Sequence, residues 1–201
     1  MEVARRWLER TGSETAAHYY AIDLYHLGRF DEALQCLNQH RDDPVRNVTR
    51  GFILAEMPDG PRLALQEVEK LPPNLKEDWA YVLLLLGKKE EALVIYRKAV
   101  FKPAPAYGEW NEFYEAQVQF LRGELSEEEY LARAGVSRAR QTSARCDIGL
   151  FRLATGDRRG AREHFRQGAR WAGGTTVLWC QMFLSRMEKD DKWPPWIPLR
   201  K

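Results

Sequence analysis

The sequence contains only three cysteines and no long apolar run, and both shortages exclude classes of protein. Cys36, Cys146 and Cys180 are odd in number and far apart, which argues against a disulfide framework and favours free thiols in a reducing compartment. No stretch approaches the roughly 18 consecutive apolar residues of a membrane span. The opening residues lack the apolar core of a signal peptide. We therefore expect a cytoplasmic protein without a membrane span.

An excess of charge of one sign is also missing. The chain has 31 lysines and arginines against 29 aspartates and glutamates, so its formal net charge is +2. A charge this small does not by itself imply a nucleic-acid partner. The 44% hydrophobic and 30% charged residues are typical of a globular chain and exclude an intrinsically disordered one.

Motifs of catalytic, metal and cofactor sites are missing as well. The four histidines form no His-Glu-x-x-His motif and no zinc spacing with cysteine; they are His18, His26, His40 and His164. The glycine-rich stretch 154–174 lacks the spacing of a P-loop and follows a segment of helical periodicity. No nucleophile, base and orienting residue occur together. We expect no enzyme, no cofactor and no metal.

What the sequence does contain is a ladder of small residues around recurring glycines. Seven residues before Gly156 lies Gly149, and five and nine residues after it lie Ala161 and Phe165. Another small residue, Gly168, follows at twelve. A turn glycine ends one helix by taking a positive φ, and small residues on both helices let them approach closely beside the larger Phe165.

The same ladder occurs at other places in the chain. Gly87 has Ala80, Ala92, Tyr96 and Ala99 at these offsets, and Gly28 has Ala21, Ala33, Leu37 and His40. Weaker copies surround Gly60 and Gly123, and the five glycines are 32, 27, 36 and 33 residues apart. Such a period indicates a solenoid of helical hairpins that turn near each glycine.

These positions resemble the tetratricopeptide repeat (TPR) motif over residues 14–172, most closely at 149–168 and 80–99. The resemblance implies an all-α, right-handed α-solenoid of about five hairpins plus a C-terminal capping helix, forming one domain over residues 1–188. Residues 110–134, followed by a well-formed repeat and a last helix, resemble NlpI-like bacterial TPR adaptor proteins more weakly. Their lipoprotein signal is missing here, so their membrane attachment is not implied.

The last helix and the residues after it form a distinct apolar end of the chain. TTVLWCQMFLSRMEKD, with Thr175 or Thr176 as its cap, is apolar nearly all round and needs a cover. Residues 189–201 form a proline- and tryptophan-rich tail, which its prolines predict to be extended. We expect residues 193–197 to dock on the array; a disordered tail and a homodimer through the last helix are the alternatives.

The resemblance also implies where a partner binds, because first helices line the concave face of a TPR array. The candidate contact residues on these helices are His18, Tyr19, Ile22, Tyr25, Tyr81, Trp110, Phe113 and Phe120. The lysine and asparagine clamp of some family members is missing, because His18 and Ile22 occupy its positions. An apolar or helical ligand is therefore favoured over a carboxylate-ended peptide.

Charge is unevenly distributed along the second half of the chain. Residues 133–170 contain ten arginines, whereas residues 109–131 contain seven glutamates against Arg122. Arginines 158, 159, 162, 166 and 170 alternate with the apolar ladder, as on the solvent-exposed face of a helix. An acidic protein partner or self-association, and nucleic acid, are the alternatives.

Together these patterns favour a non-enzymatic adaptor that binds a protein, peptide or helix in the groove of the array. The alternative is a regulatory or sensor module of a larger bacterial signalling protein such as a Ser/Thr kinase. RNA binding through the arginines is a third hypothesis.

Overall fold

A computed structural model describes residues 2–38, 44–71, 73–98, 108, 110–171 and 174–198. These ranges contain twelve α-helices and no β-strand, which confirms the all-α prediction. The helices are α1 (Glu2–Thr11), α2 (Glu14–His26), α3 (Phe30–Asn38), α4 (Pro44–Ala55), α5 (Gly60–Lys70), α6 (Pro73–Leu85), α7 (Lys89–Lys98), α8 (Trp110–Leu121), α9 (Glu127–Ala134), α10 (Arg138–Ala154), α11 (Arg158–Gly168) and α12 (Thr175–Lys189). His40, Ala99 and residues 199–201 lie outside the described residues. None of the described helices combines the length and apolar character needed to cross a bilayer.

All five glycines that the ladder placed at turns lie at the start of a helix or between two consecutive helices. Gly28, Gly87, Gly123 and Gly156 have φ of 75°, 71°, 79° and 79°, a left-handed conformation that glycine adopts without steric cost. Each lies two residues after the end of a helix, as the predicted turn requires.

Gly60 has a different role from the other four. It is the first residue of α5, and the left-handed conformation in this turn belongs to Asp59, with φ of 56°. A Cβ on Gly60 would lie 2.2 Å from the carbonyl oxygen of Leu54 at the end of α4. The expectation of a positive φ is thus wrong here: this glycine is required because two backbones approach closely.

The helices form two compact units, residues Met1–Val82 and Leu83–Lys201. In the first unit α1 packs on α2, α2 pairs with α3, and α4 pairs with α5. Ala21 and Ala33 are fully buried, as their ladder positions predicted. Helix α1 was not predicted; it buries no residue, and the indole of Trp7 lies 6.2 Å from the ring of Tyr19.

In the second unit α8 pairs with α9, α10 pairs with α11, and α12 packs on both α10 and α11. A Cβ on Gly149 would lie 2.4 Å from Cε1 of Phe165, so this small residue of α10 makes room for the phenyl ring of α11. A Cβ on Gly168 would lie 2.6 Å from Sγ of Cys180 in α12. The ladder therefore has the packing role that the sequence predicted.

The other ladder alanines are buried too: Ala80, Ala92 and Ala161 are each 0% exposed. The predicted cap of α12 is wrong, however. Gly174, with φ of 88°, occupies the N-cap position, and Thr175 and Thr176 lie inside the first turn. The hydroxyl of Thr176 lies 3.3 Å from that of Ser143 and joins α12 to α10 instead.

Candidate functional site

The C-terminal segment, defined here as residues 190–198, docks on the second unit. Trp193 is 1% exposed and Ile197 is 3% exposed, so both are part of the core. This confirms the predicted docking. The segment is not the expected polyproline-like strand, because the Trp193 amide donates to the Asp190 carbonyl and the Ile197 amide donates to the Pro194 carbonyl. The chain therefore follows a series of turns.

The turns bring main-chain carbonyls together around one side chain, that of Arg158 at the start of α11. Its Nε lies 3.1 Å from the Trp193 oxygen, and its Nη1 lies 3.3 Å from the Pro198 oxygen. Its Nη2 lies 3.1, 2.8 and 2.5 Å from the oxygens of Lys192, Pro194 and Ile197. A planar guanidinium carries five N–H donors, which suits it to bind several acceptors at once.

The Arg158 guanidinium is compensated by dipoles rather than by a direct ion pair. The residue is only 8% exposed, and among the described residues no carboxylate lies within 4.0 Å of its nitrogens. Burial lowers the pKa of Arg158, and the more distant Asp190 opposes that shift. Since arginine stays protonated in proteins, the gathered carbonyl oxygens solvate a positive charge that water would otherwise solvate.

Three side chains of the segment fix its position on the helices. The Trp193 indole stacks on Phe183 of α12, with ring centroids 6.0 Å apart and planes at 24°. The Trp196 indole Nε1 donates to the carbonyl of Leu85 at the end of α6, at 2.9 Å. Ile197 packs on the next turn, where its Cγ1 would lie 3.0 Å from a Cβ on Gly87. The segment therefore spans from the last helix of this unit to its first turn.

Several arginines of the arginine-rich stretch bind carboxylates or carbonyls of this chain. Arg152 binds Glu127 at 2.6 Å and Asp157 at 2.8 Å, and Arg162 donates to the Met187 carbonyl at the end of α12. The solvent-exposed interpretation holds for the exposed Arg159, Arg166 and Arg170. It is wrong for Arg158, because the residues that cover it lie 34 to 40 positions later in the chain.

An open depression of about 560 Å³ beside the C-terminal segment is lined by residues of both charges: Arg158, Arg159, Arg162, Glu163, Arg166 and Asp191. Arg166 pairs with Glu163 at 2.8 Å, and Arg158 is bound to the segment. Four arginines face two carboxylates here, so the lining keeps a surplus of two positive charges, because a carbonyl acceptor does not neutralise a guanidinium.

Most of the residues proposed from the sequence to contact a partner are buried. Five belong to the core, with exposures between 1% and 6%: His18, Ile22, Tyr25, Phe113 and Phe120. In this conformation those side chains cannot reach a partner. Tyr19, Tyr81 and Trp110 are partly exposed.

The buried candidates have structural partners. His18 Nε2 lies 3.0 Å from the Thr49 hydroxyl, and the Tyr25 hydroxyl donates to Glu56 at 2.9 Å, so both side chains join α2 to the α4–α5 hairpin. The ring of Phe120 stacks on Tyr130 with centroids 4.7 Å apart. Side chains of first helices therefore hold neighbouring hairpins together, as His18 and Tyr25 do, or join the two helices of one hairpin, as Phe120 does.

A buried carboxylate network joins α8, α9 and α10. Asp147, which is 2% exposed, accepts hydrogen bonds from the Tyr130 hydroxyl at 2.6 Å and from Gln117 Nε2 at 2.8 Å. Burial, and secondly the charge of Asp147, raise the pKa of Tyr130 well above its usual value. This network was not predicted from the sequence, because its three members are 13 to 30 positions apart and form no motif. Their donors and acceptors are matched, so we assign the network a structural role.

Within the described ranges, no three His, Cys, Asp or Glu side chains are grouped so that they could hold a metal ion. The two fully buried thiols lie on α10 and α12, and the hydrogen bond to Cys180, followed by burial, raises the pKa of Cys146 well above its usual value. A thiol kept protonated in this way is a poor nucleophile.

The chain matches no protein-family model, and no curated protein is significantly similar to it.

Proposed function

We propose that this chain is a non-enzymatic adaptor, built as a TPR-like right-handed array of helical hairpins, that binds a segment of another protein. One observation carries the proposal: the second unit holds a non-helical polypeptide segment through its main chain and three side-chain anchors. This segment belongs to the same chain, but the contacts that hold it are of the kind that peptide-binding domains use. The proposal extends to the alternative that the chain is a regulatory module, because such a module would use the same surface.

The geometry favours a protein partner over RNA. Arg152 pairs with two carboxylates, and main-chain carbonyls accept hydrogen bonds from Arg158 and Arg162, so a phosphate would have to compete with acceptors of this chain for these three guanidinium groups. The partly exposed Tyr19, Tyr81 and Trp110 supply further candidate contacts on each unit.

Site-specific crosslinking in cells tests the proposal. A photo-crosslinking amino acid at the exposed Arg159 position, beside the docked segment, is expected to capture a protein that then binds the purified chain in solution. The same amino acid at the fully exposed Val136 is the control, because Val136 precedes α10 whereas Arg159 follows it. Captured proteins that are the same at both positions, or that fail to bind the purified chain, would refute the adaptor proposal.

A further inference from the structure

Arg158 binds the C-terminal segment without contacting its side-chain acceptors. All five of its acceptors are main-chain carbonyl oxygens, of Lys192, Trp193, Pro194, Ile197 and Pro198. Any polypeptide that turns in the same way can offer these oxygens. The Arg158 contacts therefore define the path of the bound chain, whereas its sequence preference comes from the three anchors.

The side-chain anchors define a ligand class. Phe183 offers a ring for stacking, the Leu85 carbonyl accepts one indole N–H, and the absence of a side chain on Gly87 leaves space for an aliphatic group. Proline has no N–H to leave unpaired on burial, and its fixed φ lowers the entropy lost on binding. These features fit a segment that contains tryptophan, proline and an aliphatic residue.

The C-terminal segment can leave this surface without breaking a helix or a sheet, because its described residues belong to neither. It follows α12 through Asp190, Asp191 and Lys192, which are all exposed. Arg158 tolerates both states. With the segment bound, carbonyl oxygens solvate its charge, and after release water takes their place. Release also exposes the buried Trp193, Ile197 and Phe183, and a partner segment restores the cover on Phe183.

We propose that this surface is a binding site for a tryptophan- and proline-containing segment of a partner protein, and that the C-terminal segment of the chain is its resident competitor. The inference rests on the proposed adaptor function and specifies its ligand class and its regulation. A partner binds by displacing the resident segment, so a change in residues 190–198 alters affinity without altering the surface itself.

The magnitude of the competition follows from the short tether. A segment joined by a short flexible linker has an effective concentration on the order of 1 mM. If a free peptide binds the empty surface with a Kd on the order of 0.1 mM, the resident segment occupies the site about 90% of the time, and the free peptide then binds about tenfold more weakly.

A labelled synthetic peptide of residues 190–198 provides the probe, with binding followed by fluorescence anisotropy. The full chain with Trp196→Ala and Ile197→Ala lacks two anchors of its own segment and keeps the surface intact. We expect it to bind the peptide more tightly than the unchanged chain, by a factor that approaches tenfold as the variant segment loses its occupancy of the site. Asp191→Ala is the matched control, since its side chain is exposed and it supplies none of the five acceptors of Arg158; it should bind like the unchanged chain.

Arg158→Gln, added to the Trp196→Ala and Ile197→Ala background, locates the site. It should weaken peptide binding at least tenfold, because glutamine cannot donate to five carbonyls. Equal peptide affinity of the unchanged and the anchor-deficient chain overturns the competition. Tight binding that survives Arg158→Gln overturns the assignment of the site.

A second measurement on the unchanged chain covers the case that the anchor-deficient variant does not fold. With fluorine-labelled tryptophan, the Trp193 and Trp196 resonances should move to their free positions as unlabelled peptide is added in the millimolar range. Resonances that stay in place at saturating peptide overturn the proposal. The adaptor function would still stand in that case, because crosslinking at residue 159 tests it without the peptide.

Discussion

Gly87 both permits a hairpin turn and receives the C-terminal segment, and substitution by alanine separates the two roles. With φ of 71°, an alanine there pays the left-handed backbone cost of about 1–2 kcal/mol. Its Cβ would also lie 3.0 Å from Cγ1 of Ile197, well inside the roughly 3.5–4.0 Å of a favourable carbon–carbon contact. Since burying an isoleucine side chain contributes about 1.5–3 kcal/mol, displacing Ile197 adds a further cost of about 1–3 kcal/mol.

Gly123→Ala is the matched control. Gly123 has φ of 79° and lies in the same unit, but a Cβ there would meet no atom within 4 Å. We expect Gly123→Ala to lower the free energy of unfolding by the backbone cost alone, in urea titrations followed by circular dichroism. Gly87→Ala should cost about 1–3 kcal/mol more.

The excess should disappear when both substitutions are made in an Ile197→Ala background, because the contact responsible for it is then absent. Equal destabilisation by the two substitutions in the unchanged chain would refute the reasoning that Ile197 is held at the turn. An excess that persists in the Ile197→Ala background would assign the cost to the α6–α7 turn alone.

Two further predictions concern the helix core. Ala161→Glu should destabilise the chain by several kcal/mol, because it places a carboxylate where α10 and α11 approach each other. Arg159→Glu, on the exposed face of α11, is the control and should change the melting temperature little. Similar melting temperatures for the two variants would show that Ala161 is not buried. Because the pKa of Tyr130 is raised in the folded chain, the unfolded phenol ionises first, and the free energy of unfolding should fall as pH rises above about 10. Tyr130→Phe should reduce that loss, and an unchanged pH dependence in this variant would contradict the assignment.

The hairpin organisation was predictable because it depends on local geometry. A left-handed turn position favours glycine, and a close helix approach excludes large side chains, so both requirements appear in the sequence at fixed offsets. Gly149 and Phe165 illustrate this, since they are sixteen residues apart and in contact. Gly60 does lie at a predicted turn, but it is required because two backbones approach closely there. The ladder cannot distinguish this kind of glycine from one with a positive φ.

The site was less predictable because its parts are far apart in sequence. Arg158 lies on a helix whose polar and apolar pattern correctly describes most of its exposed face. The carbonyls that bury it are not side chains and leave no compositional signal. The sequence signal for the site was the excess of apolar residues on α12 and in the segment after it. These apolar side chains needed to be covered, which predicted the docking. Nothing in this signal indicated that Arg158 takes part.

The burial of the predicted contact residues and the docking of the C-terminal segment have one physical explanation. Aromatic side chains on first helices bury large areas, and those that find neighbours within the chain, such as Tyr25 and Phe120, stabilise the hairpins and cease to be available. A surface that can bind a partner must instead be satisfied in both the bound and the free state. Arg158 meets this condition, because a guanidinium can exchange carbonyl oxygens for water. Phe183 and Trp193 do not meet it, since release of the segment exposes both rings at a hydrophobic cost, and an aromatic side chain of the partner would have to cover Phe183 again. For this reason we place the proposed binding surface around Arg158, which binds main-chain carbonyls, rather than at the aromatic residues of the first helices that the sequence favoured.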